Sequence, residues 1–287
     1  MSAKFGPAGA GESFKAAGYK HSLQIPQYLS EMGLDHFEYQ CGRGVNIGEE
    51  KAKQLGDMLS EKGITVSLHA PYYISMSSVE EEKRLNSVNY ILASARAVKA
   101  MGGNRIVVHT GSCGKLDRDT ALRLACDTMR LALDALDSEN LGDVHICPET
   151  MGKVNQLGTL NEVLELCKLD ERLIPCIDFG HLNAREQGYF KSAAEYKSVF
   201  DAIENELGAE RLKCFHSHFS KIEYTTGGEK RHLTFEDTIY GPDFEPVLDI
   251  VVQRGCLPIF VCESAGTQAE DALTMKKYYQ SITGGVK

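Results

Sequence analysis

Short runs rich in β-branched and aromatic residues recur along the chain with helical stretches between them, and this alternation constrains the fold more than any other feature. The strand-like runs are DHFEY at 35–39, TVSLHA at 65–70, RIVVHT at 105–110, VHICPET at 144–150, LIPCIDFGH at 173–181, LKCFHSH at 212–218 and PIFVCES at 258–264. An eighth strand is expected in the N-terminal KFGPAG, although its glycines and proline resemble a strand end more than a strand. Helical periodicity fills 48–62, 78–101, 117–138, 159–168, 192–207, 244–254 and 268–280, with Ser78 and Glu81, or Ser192 and Glu195, as capping pairs. Strands separated by helices at this spacing pair in parallel, and eight such units over 287 residues predict an α/β fold, a (β/α)8 TIM barrel forming one domain over 1–287. No Gly-x-Gly-x-x-Gly follows the first strand, so an open dinucleotide-binding sheet lacks its fingerprint.

The polar residues fall selectively within that frame. His69, His109, Glu149, Asp178, His216 and Glu263 each stand at or near the C-terminal end of a different expected strand. In a barrel those ends form one rim, where active sites lie. Strand alternation puts Ser67 with His69, Val107 with His109, Cys147 with Glu149, Cys176 with Asp178, Cys214 with His216 and Val261 with Glu263 on one face. The opposite parity is apolar (Val66, Leu68, Ile106, Val108, Ile146, Ile177) and suits burial under helices.

Six imidazoles and carboxylates at one mouth carry a heavy desolvation cost unless a counter-charge is present, and a divalent metal is the natural one. Three carboxylates with three neutral histidines suit zinc or manganese better than calcium or magnesium, which prefer all-oxygen shells. Taken singly, a strand-end histidine is more often structural and a rim carboxylate often caps the next helix. Independent structural roles, however, do not place ligand types at the same end of successive strands. His145 faces inward four residues before Glu149 and is expected to be a hydrogen-bonded core histidine; His218 shares the face of His216 and is an alternative ligand; His21 and His36 have no such context.

Composition narrows the setting. Nine cysteines, an odd number with no C-x-x-C pair, argue against a disulfide framework or a zinc ribbon. No apolar run approaches the roughly 20 residues of a spanning helix, and the N-terminus lacks a secretion signal, so no membrane association and a cytoplasmic location are expected. A net charge of −9 disfavours broad adhesion to nucleic acid but leaves room for a site-specific enzyme with a few cations around one cleft.

The segments LHAPY (68–72), VVHTGS (107–112), PET with the following MGK (148–153), CIDFGH (176–181), FHSHFSK (215–221), the RH pair at 231–232 and CES (262–264) resemble the endonuclease IV family of apurinic/apyrimidinic endonucleases, over about residues 4–282. The resemblance implies a cluster of two or three zinc ions serving phosphodiester hydrolysis at abasic sites in DNA, with Mn2+ as an alternative metal, in a monomer. It implies that His69 and His109 with Glu149 hold one zinc. Glu149, bridging to Asp178, His216 and Glu263, holds a second, and His181 with His232 belongs to a third. Tyr72 matches the family's nucleotide-contacting tyrosine. The chain departs from the pattern at Lys230, where the family has an aspartate before Arg231 and His232, so either Glu229 substitutes or the third site is weak or absent. Phe219 replaces another family aspartate, and CGRG at 41–44 replaces the DNA-inserting segment, leaving Arg43 as its counterpart.

Two readings of this cleft follow. In the hydrolase, Glu149 bridges the metals, Glu263 orients or deprotonates the attacking water, and Lys221, Arg231 or Lys230 balances phosphate charge. In the alternative, a sugar or sugar-phosphate isomerase or epimerase of the xylose-isomerase-like barrels, one metal sits among Glu149, Asp178, His216 and Glu263, and the two glutamates exchange protons beside a carbonyl. His69 and His109 favour hydrolysis, because one-metal isomerisation does not require them.

Overall fold

The computed structural model describes residues 2–284. Its strands are β1 (Lys4–Pro7), β2 (His36–Gln40), β3 (Thr65–His69), β4 (Arg105–Val108), β5 (His145–Pro148), β6 (Cys176–Asp178), β7 (His216–Phe219), β8 (Ile222–Thr225), β9 (Gly228–His232) and β10 (Ile259–Cys262). Two parallel four-stranded arrays, β1-β10-β7-β6 and β2-β3-β4-β5, meet through the parallel bridges Ala8–Glu38, Ile146–Leu173 and Glu149–Cys176. The ring is therefore the expected (β/α)8 TIM barrel, with β8 and β9 standing outside it as an antiparallel hairpin. Val66, Leu68, Ile106, Val108, Ile146 and Ile177 are all buried on the outward face under the helices. Each such side chain contributes about 1.5–3 kcal/mol of burial, which fixes the face that each strand turns inward.

The seven expected helices are present as Glu49–Glu61, Glu81–Ala100, Arg118–Ser138, Leu160–Cys167, Ala193–Leu207, Glu245–Arg254 and Gln268–Thr283. Ser192 and Glu195 form the capping box that the sequence promises. Ser78 does not: its Oγ accepts from Glu80 N at 3.1 Å in a turn, and the helix starts later, with Glu80 as its cap. The N-terminal segment is a true strand. Gly6 lies so close to β2 that a Cβ there would stand 1.9 Å from the His36 carbonyl oxygen, so the glycine is what lets β1 fit.

The run 173–181 is strand only over Cys176–Asp178. Asp178 Oδ1 accepts from His181 N at 2.7 Å and caps the helix Phe179–Arg185, which turns the chain out of the barrel. Helices at Gly11–Ala16, Ile25–Met32 and Ala209–Lys213 and a 3-10 turn at Ser22–Gln24 complete the described elements. All nine cysteines are unpaired thiols, and no helix among the described residues is long and apolar enough to cross a membrane.

Candidate metal centre

Glu149, immediately beyond β5 and fully buried, is the hub of the barrel mouth. Its Oε2 lies 3.4 Å from His69 Nε2 and 3.1 Å from His109 Nε2. Its Oε1 lies 3.0 Å from His218 Nδ1 and 3.3 Å from His181 Nδ1. Asp178 Oδ2 is 3.2 Å from His181 Nδ1, and Glu263 Oε1 is 3.6 Å from His218 Nδ1. Beyond the ring, His181 Nε2 is 3.4 Å from Glu229 Oε2, and His232 Nε2 is 3.9 Å from Glu229 Oε1. Five groupings result among the described residues: His69, His109 and Glu149; Glu149, Asp178, His218 and Glu263; His69, His218 and Glu263; His181, Glu229 and His232; and, one layer deeper, Cys176, His216 and His218. Within each, one ligand atom per residue lies within 4.8 Å of the others.

The donor set fits divalent metal. Glu149 Oε2 and Asp178 Oδ2 are buried with no hydrogen-bond partner, a costly state that a cation relieves. Backbone and hydroxyl oxygens orient three of the rings: His69 Nδ1 meets Ala70 O at 2.8 Å, His181 Nδ1 meets Thr150 O at 2.9 Å and His232 Nδ1 meets Ser220 Oγ at 2.8 Å. With Nδ1 so engaged, Nε2 is the nitrogen left to face the cleft.

Protonation tells the same story. Burial pushes the Glu149 carboxyl up, but the charge of His218 and the close approach of the His109, His181 and His218 rings hold it well below the usual carboxylate range. Burial dominates at Asp178, raising its carboxyl despite His181. Burial lowers His181 and His218, yet the surrounding acidic groups overcome it: Asp178 and Glu149 bring His181 to about 10, and Cys176, Glu38, Glu263 and Glu149 raise His218 well above an ordinary imidazole. A metal ion held here would have to displace protons from His181 and His218, so its affinity would rise with pH.

The structure brings His69, His109, Glu149, Asp178, His181, His232 and Glu263 to one mouth. It does not bring His216. Register pairs Cys176 with His216 and Asp178 with His218, so His218 is level with the rim and His216 lies one layer deeper. There its Nε2 sits 3.0 Å from Glu38 Oε2. Expecting strand over 212–218 put the rim too early, since β7 runs from His216 to Phe219 and the two histidines share a face. Glu229, not Lys230, stands with His181 and His232, while Lys230 and Arg231 turn outward onto Glu223 at 2.5 and 2.6 Å.

The cleft, about 630 Å³, is lined by Tyr72, Gln40, Gln156, Gln268 and Lys153 besides the ligand-type residues. Tyr72 packs its ring 5.5 Å from that of His69 and 5.4 Å from that of His109. Three other expected substrate contacts do not line it: Arg43 is exposed on the turn after β2, Lys221 is tied to Asp237 O at 2.6 Å, and Arg231 is held by Glu223. Lys153 is the one lysine or arginine among the described lining residues. Sequence reasoning missed it and the interior carboxylate Glu38, whereas Glu229 takes the place that the sequence offered as one of two alternatives. His36, also without assigned role, is fully buried and bonds Thr65 and Ser67 hydroxyls at 2.9 Å each. His145 is held by Arg172 O at 3.2 Å but is only half-buried, at the start of β5, and so is not the core histidine expected.

A family model described as a xylose isomerase-like TIM barrel matches residues 26–279. A protein of Methanocaldococcus jannaschii described as uncharacterized is 33% identical over 95% of this chain and 94% of its own. A probable endonuclease 4 of Mycoplasma pneumoniae is 30% identical over 77% of this chain and 76% of its own. Among solved structures, a D-tagatose 3-epimerase-like protein superposes with TM-score 0.71 at 20% identity, covering 98% of both chains. Endonuclease IV from Thermus thermophilus does so with TM-score 0.65 at 16% identity, over 98% of this chain and 100% of that one. At these identities the structures speak for the fold alone.

Proposed function

We propose that this chain, which belongs to the xylose isomerase-like TIM barrel family, is a zinc-dependent phosphodiester hydrolase acting at abasic sites in DNA, a reading supported by its likeness to a probable endonuclease 4. The observation that carries this reading is the grouping of His69, His109 and Glu149 beside the Glu149, Asp178, His218 and Glu263 set, with Glu149 common to both. One-metal sugar chemistry has no use for the first grouping; a displacement at phosphorus, which must stabilise attacking and leaving oxygens together, does.

Each of those groupings would hold one ion, and His181, Glu229 and His232 would hold a third. Such ions, when bound, supply Lewis acidity toward phosphoryl oxygens and make water acidic near neutral pH. The protein's own groups do the rest. Glu263, whose side chain keeps 16% of its surface open at the mouth, accepts the proton of the attacking water. Lys153 balances phosphate charge in the cleft. Tyr72, 58% exposed and backed by two imidazole rings, offers a face on which the sugar next to the lesion packs.

A second reading, epimerisation of a small sugar or sugar phosphate, is favoured by one feature. The cleft is lined by glutamines and a single lysine, a surface suited to hydroxyl groups more than to a polyanion. His69→Ala combined with His109→Ala separates the two. Hydrolysis of an abasic duplex should disappear in the double variant, whereas an epimerase assayed on ketohexoses should keep its turnover; retained cleavage contradicts the hydrolase assignment.

A further inference from the structure

We propose that Glu38 is a positioning residue that fixes the orientation and tautomer of His218, an inference that rests on the metal-centre reading above. Glu38 is wholly buried in the middle of β2, inside the barrel, one layer below the mouth. A carboxylate there costs several kcal/mol of desolvation unless it is fully paired, on the order of what any buried ion costs, and an apolar side chain would fill the same space without that penalty.

It is fully paired. Oε2 accepts from Ser67 Oγ at 2.8 Å and lies 3.0 Å from His216 Nε2. Oε1 accepts from Gln40 Nε2 at 3.2 Å and lies 2.9 Å from His218 Nε2. Ser67 is itself held at 2.9 Å by His36 Nε2, whose Nδ1 meets Thr65 Oγ1 at 2.9 Å. The carboxylate is thus immobilised from below, bonded to His216, and brought within 2.9 Å of the His218 ring.

That ring spans two acidic environments. His218 Nε2 faces Glu38, and its Nδ1 faces Glu149 at 3.0 Å and Glu263 at 3.6 Å. Glu38 meets Nε2 as a close charge contact without in-line hydrogen-bond geometry, and its negative charge favours a proton on that nitrogen, which leaves the Nδ1 lone pair to the candidate ligand set and makes it a better donor. His69 and His181 are oriented by backbone carbonyls. His218 differs from them in having a carboxylate behind it. Glu38 therefore acts through His218 and touches neither substrate nor metal.

Zinc affinity is measured by competition with a chromophoric chelator at neutral pH for the wild-type protein, Glu38→Gln and Ser67→Ala, alongside the visible absorption of the Co2+-substituted proteins. Glu38→Gln should weaken zinc by about 10–100-fold and alter the cobalt spectrum, the scale of losing such a partner. Ser67→Ala, which leaves the carboxylate and both histidine contacts in place, should weaken it less. Wild-type affinity and an unchanged spectrum in Glu38→Gln overturn the role of Glu38 while leaving the metal centre standing. Failure of the wild type to take up zinc overturns the centre itself.

Should Glu38→Gln not fold, 15N-histidine spectra of the zinc-loaded wild type give the same decision. Nδ1 ligation with a protonated Nε2 at His218 supports the proposal, and ligation through Nε2 contradicts it.

Discussion

The two lobes of the candidate centre are built by different means. His69, His109, Glu149, Asp178, His218 and Glu263 ride on or next to the ends of barrel strands, each held in parallel register with its neighbours. Glu229 and His232 ride on β9, outside the ring, and reach His181 because the hairpin is stitched to the loop after Glu149. The stitches are Glu229 N to Gly152 O at 3.0 Å and Val154 N to Gly227 O at 3.1 Å. Gly152 has no room for a side chain there, since a Cβ would stand 2.6 Å from Glu229 Cβ and 2.9 Å from His181 Cδ2. Two arginines hold the loop in turn. Arg185 donates to the carbonyls of Met151, Lys153, Val154 and Gln156, and Arg118 donates to those of Val154 and Gln156 while pairing with Glu162. The strand lobe thus inherits its geometry from the barrel, whereas the hairpin lobe depends on a local scaffold that can fail by itself.

This contrast can be broken at graded cost. The largest effect should come from Glu149→Gln, which removes the residue common to two groupings. Zinc content should fall by more than one ion per chain, and kcat/KM for abasic-site cleavage should drop by on the order of 10³–10⁴, as for members of a unit that act together. A loss of one ion with modest kinetic change would mean the strand lobe is not one unit. Glu229→Ala comes next. It should remove the hairpin lobe's ion alone and lower cleavage by about 10–100-fold. A loss of every ion would show that the lobes are interdependent.

The smallest effect on activity should come from Glu162→Gln, which loosens the loop scaffold. Glu162 caps its own helix and binds Gly158 N and Thr159 N at 2.9 Å each, besides Arg118. Burial raises its carboxyl, but the hydrogen bonds from Arg118 and these amides outweigh burial and leave it below an ordinary glutamate. A depressed carboxylate contributes stability that is complete above its unfolded pKa of about 4.3 and is lost as pH falls through the folded value. Urea unfolding should therefore show Glu162→Gln less stable by about 1.5–3 kcal/mol at pH 7. The gap between variant and wild type should shrink as pH drops below about 4.3. A gap independent of pH would assign the loss to packing.

The strand lobe was largely legible from periodicity, whereas His181, His232 and the alternative Glu229 of the hairpin lobe were reached only through the family resemblance, for physical reasons. Period-2 alternation decides which face a residue takes, and the barrel rule decides which end carries chemistry, so His69, His109, Glu149, Asp178 and Glu263 could be read together. Alternation does not report depth. His216 and His218 share a face, and pairing with β6 alone shows which of them is level with Asp178. Glu38 lies mid-strand in HFEYQ, where no rim argument reaches. The β9 segment GEKRH alternates no apolar residues, because the hairpin is held by backbone bonds to the loop and buries little of its own. The register irregularity at Glu223 and Tyr224 further obscures which of Glu229 and Lys230 faces inward.

The central claim, a polynuclear metal centre that cleaves phosphodiesters, is tested most directly by elemental analysis of protein purified without chelator, followed by an abasic-duplex cleavage assay on the same sample. Two or three zinc ions per chain together with strand cleavage is the predicted result. One exchangeable manganese without cleavage would contradict it.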